Sequence, residues 1–80
     1  VGQRPRDRPK YLASKLLLIR QTLGLSQSQL AAELNVKISG ARISEYENGA
    51  REPNLKTLLA YARLAGIHID DLVDDTITLH

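Results

Sequence analysis

The sequence predicts an all-α domain of five short helices, and three observations lead there. Leu (14) and Ala (8) dominate the apolar residues, Val (3) and Ile (6) trail, and Phe and Trp are absent. Leu and Ala favour helices, whereas β-branched and aromatic residues mark strands. Apolar residues recur at helical spacing in the stretches after Tyr11 and after Asn54. Capping residues (Ser26, Ser39, Asn54) and stop residues (Gly24, Gly49, Gly66) punctuate the chain at short intervals. Eighty residues allow one domain at most.

Residues 1–10 hold both early prolines and little apolar surface, and read as a flexible basic arm. The helix-turn domain is expected over 11–75, followed by a tail at 76–80. In the first helix Leu12, Leu16, Ile19 and Leu23 share a face, Gly24 stops the helix and Leu25 folds back on it. Ser26 and Gln29 form a capping box, with Leu25 and Leu30 as its hydrophobic staple. The second helix then runs to Leu34 and ends at Asn35, a residue that tolerates positive φ. Ser39 caps a third helix from Gly40 to about Asn48, and Gly49 ends it. Asn54 caps a fourth, whose expected core face is Leu55, Leu58, Leu59 and Ala62. Gly66 ends it, and His68 starts a short fifth helix with Asp70 and Asp71 in its first turn, where carboxylates suit the helix dipole. Thr76 to Leu79 alternate with period two, the pattern of a short strand. Tyr11, Tyr46 and Tyr61 read as core-edge residues.

Several function classes are excluded early. There is no Cys, and the two His are His68 and His80, so no metal site and no cofactor are expected. No base–nucleophile constellation supports an enzyme or a small-molecule substrate. No apolar run approaches a membrane span of ~20 residues and no signal-peptide pattern opens the chain, so a cytoplasmic protein is expected. Charge is unevenly spread. Residues 1–20 carry six Lys/Arg against Asp7, whereas residues 70–80 carry four Asp and no base. A basic end suits a polyanion partner; a solubilising tail is the equal alternative from charge alone.

The third helix carries the chemistry. With Ile43 as the inward reference and 100° per residue, Tyr46 and Glu47 share its face. Ala41, Glu45 and Asn48 then point away, with Arg42 and Ser44 on the flanks. That outward face is short, polar and free of Leu, as a helix lying in a DNA groove requires.

The stretch GLSQSQLAAELNV…ISEYENGAREPNLKTLLAYARLAGI resembles the lambda-repressor/Cro-like, or XRE-type, helix-turn-helix family of bacterial and phage regulators. It is similar above all to a small single-domain bacterial subfamily ending in REP…LLxYARLAG…DDLxDD, over Leu12 to Asp75. The resemblance implies a five-helix lambda-repressor-like domain that binds duplex DNA and regulates transcription. It also implies a phosphate contact from Gln27, a backbone contact from Asn48, and an Arg20–Glu47 pair tying the first helix to the third. Base reading falls at and just before Ile43. Two departures stand out. Asn35 replaces the usual Gly, and six residues (Lys37 to Arg42) separate Val36 from Ile43 where the common pattern has four.

The expected base contacts are therefore Gly40, Ala41, Arg42, Ser44 and Glu45. The expected DNA-backbone contacts are Gln27, Lys37, Ser39, Asn48 and Arg51, with Arg4, Arg6, Arg8 and Lys10 from the arm. Arg42 and Glu45 also read as an ordinary solvated i, i+3 pair. A homodimer on DNA, joined through the region after Gly66, is the expected assembly. The alternatives are the antitoxin of a toxin–antitoxin pair and a protein-interaction adaptor that has kept the fold.

Overall fold

A computed structural model gives the structure of the protein and describes residues 9–79. Arg4, Arg6 and Arg8 lie outside the described residues. Five helices follow in order: α1 (Leu12–Leu23), α2 (Gln27–Leu34), α3 (Gly40–Glu47), α4 (Leu55–Ala65) and α5 (Ile69–Val73). Their ends are set by local chemistry. Ser26 Oγ accepts from the Gln29 amide at 3.0 Å while Gln29 Oε1 accepts from the Ser26 amide at 2.8 Å, a reciprocal box at the start of α2. Ser39 and Asn54 cap α3 and α4 through the Arg42 and Thr57 amides. Asp71 caps α5 backwards, accepting from the His68 amide at 2.9 Å. Gly24 and Gly66, both left-handed, close α1 and α4 with paired bonds from the next two amides back into the last turn.

The helices enclose one core. Leu16, Leu30, Ile43, Tyr61 and Leu72, one from each helix, are fully buried at its centre. Helix α3 packs on α1 and α2, α4 on α1, α2 and α5, and α5 returns to α1. Ala31 is buried where α2 meets its neighbours, so its small side chain permits close approach.

Four expectations need correction. Leu55 is 66% exposed, and the buried residues of α4 are Thr57, Leu58, Tyr61 and Ala62. Lys56 and Arg63 mark the exposed side of α4, and the residues opposite them are Thr57, Leu58, Tyr61 and Ala62, which turns the inward face away from Leu55. Tyr61 is thus a core-centre residue rather than a core-edge one. Leu23, counted with the inward face of α1, is 38% exposed at the helix end. The segment after Asp75 forms no strand: among the described residues there is none. Ile77 and Leu79 are half-buried and Thr78 is exposed, with Leu79 packed against the core, so the alternation reflects irregular chain.

The two ends of the described chain are joined to each other. Lys15, 6% exposed, donates from Nζ to the carbonyls of Asp71 (2.8 Å) and Asp74 (2.9 Å), filling the orphan acceptors at the end of α5. In return the Asp75 carboxylate accepts from the amides of Lys10 (2.9 Å) and Tyr11 (3.1 Å), just ahead of α1. The donors and acceptors left open at one helix end are satisfied by the other.

The Tyr61 hydroxyl is buried and makes no hydrogen bond. An unpaired buried hydroxyl carries a desolvation penalty of about 1–3 kcal/mol. Tyr61→Phe is therefore expected to leave stability unchanged or raise it by about 1 kcal/mol, read as the urea midpoint at constant slope. A loss of similar size would show the hydroxyl to be bonded.

Candidate nucleic-acid interface

The interface is built on α2, α3 and the turn between them. Asn35 closes α2 in the left-handed conformation (φ 55°), and Lys37 adopts it again (φ 61°). Between and beyond them Val36 and Ile38 are half-buried against the core, which leaves Lys37 and Ser39 exposed. Gly40 then meets α2 closely. A Cβ there would lie 2.9 Å from Ser28 Oγ and 3.1 Å from the Ser28 amide nitrogen. A side chain there would press on α2, so Gly40 faces α2 closely, with its own atoms only partly exposed.

On α3, Ile43 and Tyr46 are buried and Ala41 and Asn48 are exposed. Arg42, Ser44 and Glu45 are intermediate. The phase is held by Glu47, whose side chain is only 6% exposed. Arg20 meets it with two bonds, Nε to Oε2 at 2.6 Å and Nη2 to Oε1 at 3.1 Å. Arg20 Nη1 also donates to the Leu25 carbonyl, and Gln27 Nε2 donates to Glu47 Oε1 at 3.1 Å. One carboxylate therefore ties α3 to α1 and to the first residue of α2. The bond to Glu47 raises the Arg20 pKa above its already high ordinary value, so the cation is permanent. Burial, reinforced by the nearby Glu47 charge, pushes the Tyr61 phenol well above its usual range, so it stays neutral.

The outward face carries a second acidic residue between two bases. Glu45 Oε1 lies 2.9 Å from Arg42 Nε and 3.4 Å from Arg51 Nε. The i, i+3 pair with Arg42 was legible from spacing, whereas Arg51 arrives from the loop beyond α3 and no helical period marks it. Asn48 folds back, its Oδ1 accepting from the Ala50 amide at 2.9 Å. Lys10 is exposed, its Nζ 5.5 Å from the centre of the Tyr11 ring. Gln27, Lys37, Ser39, Arg42, Ser44, Glu45, Asn48 and Arg51 are thus gathered on α2, α3 and the chain joining or following them, while Lys10 precedes α1. Among the described residues no cluster of His, Cys, Asp or Glu could hold a metal ion, and no helix is long and apolar enough to cross a membrane.

Residues 16–72 match a family model described as helix-turn-helix. The fold is similar to that of the P22 c2 repressor protein in a crystal structure with synthetic operator 9T in the presence of Tl+. That similarity has a TM-score of 0.72 at 25% identity, covering 80% of this chain and 94% of the other. Comparison with curated proteins gives no match.

The Arg20–Glu47 pair makes a stability prediction. Removing one member of a buried pair costs about 3–5 kcal/mol, and the 19% exposure of Arg20 sets Glu47→Ala at the lower end, about 3 kcal/mol. The double substitution Arg20→Met with Glu47→Leu should recover most of that loss, since neither charge is then stranded. Urea unfolding of both variants checks it.

Proposed function

This chain belongs to the helix-turn-helix family, as an XRE-type, lambda-repressor-like member, and from that premise we propose that it binds duplex DNA sequence-specifically and regulates transcription. The observation that carries the proposal is the outward face of α3. Ala41, Arg42, Ser44, Glu45 and Asn48 offer donors, acceptors and a methyl group without one bulky apolar side chain. Such a face suits a helix lying in the major groove, with α2 crossing the phosphate backbone. The P22 c2 repressor, similar in fold, is seen with a synthetic operator, which favours the same partner here.

Roles follow from chemistry. The flat, forked Arg42 guanidinium matches guanine O6 and N7, while Ala41 offers apolar contact to a thymine methyl and Ser44 supplies a further polar group. Gly40, packed against Ser28 at the start of α3, adds its backbone to that set. Gln27 already gives one amide hydrogen to Glu47, and its second hydrogen is the one available to a phosphate oxygen. Lys37, Ser39, Asn48, Arg51 and Lys10 add backbone contacts, and Arg4, Arg6 and Arg8 extend them along the duplex.

One recognition helix reads few base pairs, so the proposal includes a homodimer on DNA with half-sites about 34–36 Å apart. Val73, 37% exposed, and half-buried Ile69 flank exposed Leu55 in an open apolar groove between α4 and α5. A second copy meeting this groove would bury it about a two-fold axis. The contact is then side-chain packing, with no strand pairing between tails.

Selection from random duplex DNA tests the whole reading: an enriched site with two-fold symmetry is expected, and no enrichment would refute it. On that site Arg42→Ala should cost about 1–3 kcal/mol at one guanine and relax the choice there. Gln27→Ala should instead weaken selected and scrambled duplexes by similar factors. Affinity should fall with salt at a log–log slope near ~0.9 per phosphate contact, and removing residues 1–10 should flatten that slope. For the dimer, sedimentation with operator present should give two chains per site, and one chain per site excludes it.

A further inference from the structure

We propose that Glu45 is a positioning residue that orients Arg42 and Arg51 towards DNA, and not itself a reader of bases. The inference rests on the DNA-binding reading and deepens it. Three features of the site converge. First, Arg42 and Arg51 approach the same oxygen, Glu45 Oε1, and both do so through Nε. Both contacts are ion pairs by distance and not aligned N–H···O hydrogen bonds. In a planar guanidinium, Nε occupies one edge and the Nη1–Nη2 edge remains, and an edge pair of donors is what guanine O6/N7 or a phosphate accepts. The carboxylate thus lies nearest the Nε corner of each guanidinium, away from the edge that recognition uses.

Second, the backbone at both ends of this trio is held. The Arg42 amide is bonded to Ser39 at the cap of α3. The amides of Ala50 and Arg51 both donate to the Glu45 carbonyl, at 3.0 and 3.3 Å. Arg51 thus meets Glu45 twice, by main chain and by side chain. A free arginine side chain carries large rotamer entropy, and contacts that hold it beforehand reduce what binding must remove.

Third, the charges explain how an acidic residue belongs on this face at all. A bare carboxylate turned towards a phosphate-lined groove would be repelled. Flanked by two guanidinium groups, Glu45 leaves the trio net positive while setting the spacing between its cations. All three side chains are 40–51% exposed, so the pairing is weak in water and its consequence lies in orientation rather than in fold stability.

The test uses the full chain, the selected duplex, and versions of it altered at single base pairs. Glu45→Gln removes the charge and keeps the shape. It should lower discrimination at the base pair read by Arg42 roughly tenfold, a large part of what a bidentate arginine supplies. Affinity for scrambled duplex should be unchanged or higher, and the unfolding midpoint should not move. In the Arg42→Ala background, Glu45→Gln should cause no further loss at that base pair, because the two act as a unit. Glu45→Asp, which keeps the charge but shortens the reach, should relax the same base pair if the carboxylate works by placement. Without DNA, the Arg42 and Arg51 Nε–H resonances should both shift in Glu45→Gln. Loss of choice at a different base pair, additive with Arg42→Ala, would overturn the proposal and make Glu45 a direct reader. Unaltered discrimination would overturn it too. Failure of the wild-type chain to prefer any duplex would instead sink the DNA-binding reading beneath it.

Discussion

The Glu47 carboxylate is the constraint on which the rest of the site depends. It is nearly buried, and a buried carboxylate is tolerable only with partners that satisfy it. Those partners are Arg20 from α1 and Gln27 from α2, and Arg20 in turn reaches the Leu25 carbonyl in the turn between these helices. Rotation of α3 by even one residue would strand the charge, so the carboxylate fixes the rotational phase of that helix. The same phase turns Arg42 and Glu45 outward. Orientation of the outward face of α3 is thus set from inside the domain.

A second set of polar contacts does for the ends of the chain what Glu47 does for its middle. Helix α5 has only five residues and could not persist alone. Lys15 gathers its last carbonyls, Asp75 holds the approach to α1, and Leu72 fills the core beneath them. The acidic end of the chain is therefore partly consumed in capping, which changes the meaning of the charge asymmetry. The Asp74 carboxyl, held below its ordinary range by bonds from the Thr76 hydroxyl and amide, closes the turn that delivers Asp75.

What could be read from the sequence was what is local. The Ser26–Gln29 box, the Ser39 and Asn54 caps and the glycine stops each depend on residues a few positions apart, and all are present. The inward and outward faces of α3 followed from the 3.6-residue period, because that helix has one apolar side. On α4 the leucine template chose the wrong face: the buried Thr57, Leu58, Tyr61 and Ala62 lie opposite the exposed Lys56 and Arg63, which carried the phase. The Arg20–Glu47 pairing came from family resemblance and not from spacing. Lys15 with α5, Arg51 with Glu45, and Gly40 with Ser28 carry no periodic signature at all. They exist only once the chain has brought distant segments together.

The lengthened turn shows how a departure from a family pattern can be absorbed. Two added residues in a flexible loop would cost little but would leave the start of α3 undefined. Here the turn is anchored: Val36 and Ile38 pack on the core, and the left-handed Asn35 and Lys37 reverse the chain between them. A non-glycine residue in that conformation is strained, and Lys37 has no side-chain capping bond to offset it. The strain is sustained because the apolar residues on either side are fixed, and their inward placement requires Lys37 to turn out. The close Gly40–Ser28 contact then sets where α3 begins, whatever the length of chain before it. The turn thus seats α3 against α2 and presents Lys37 as an exposed cation at its entry.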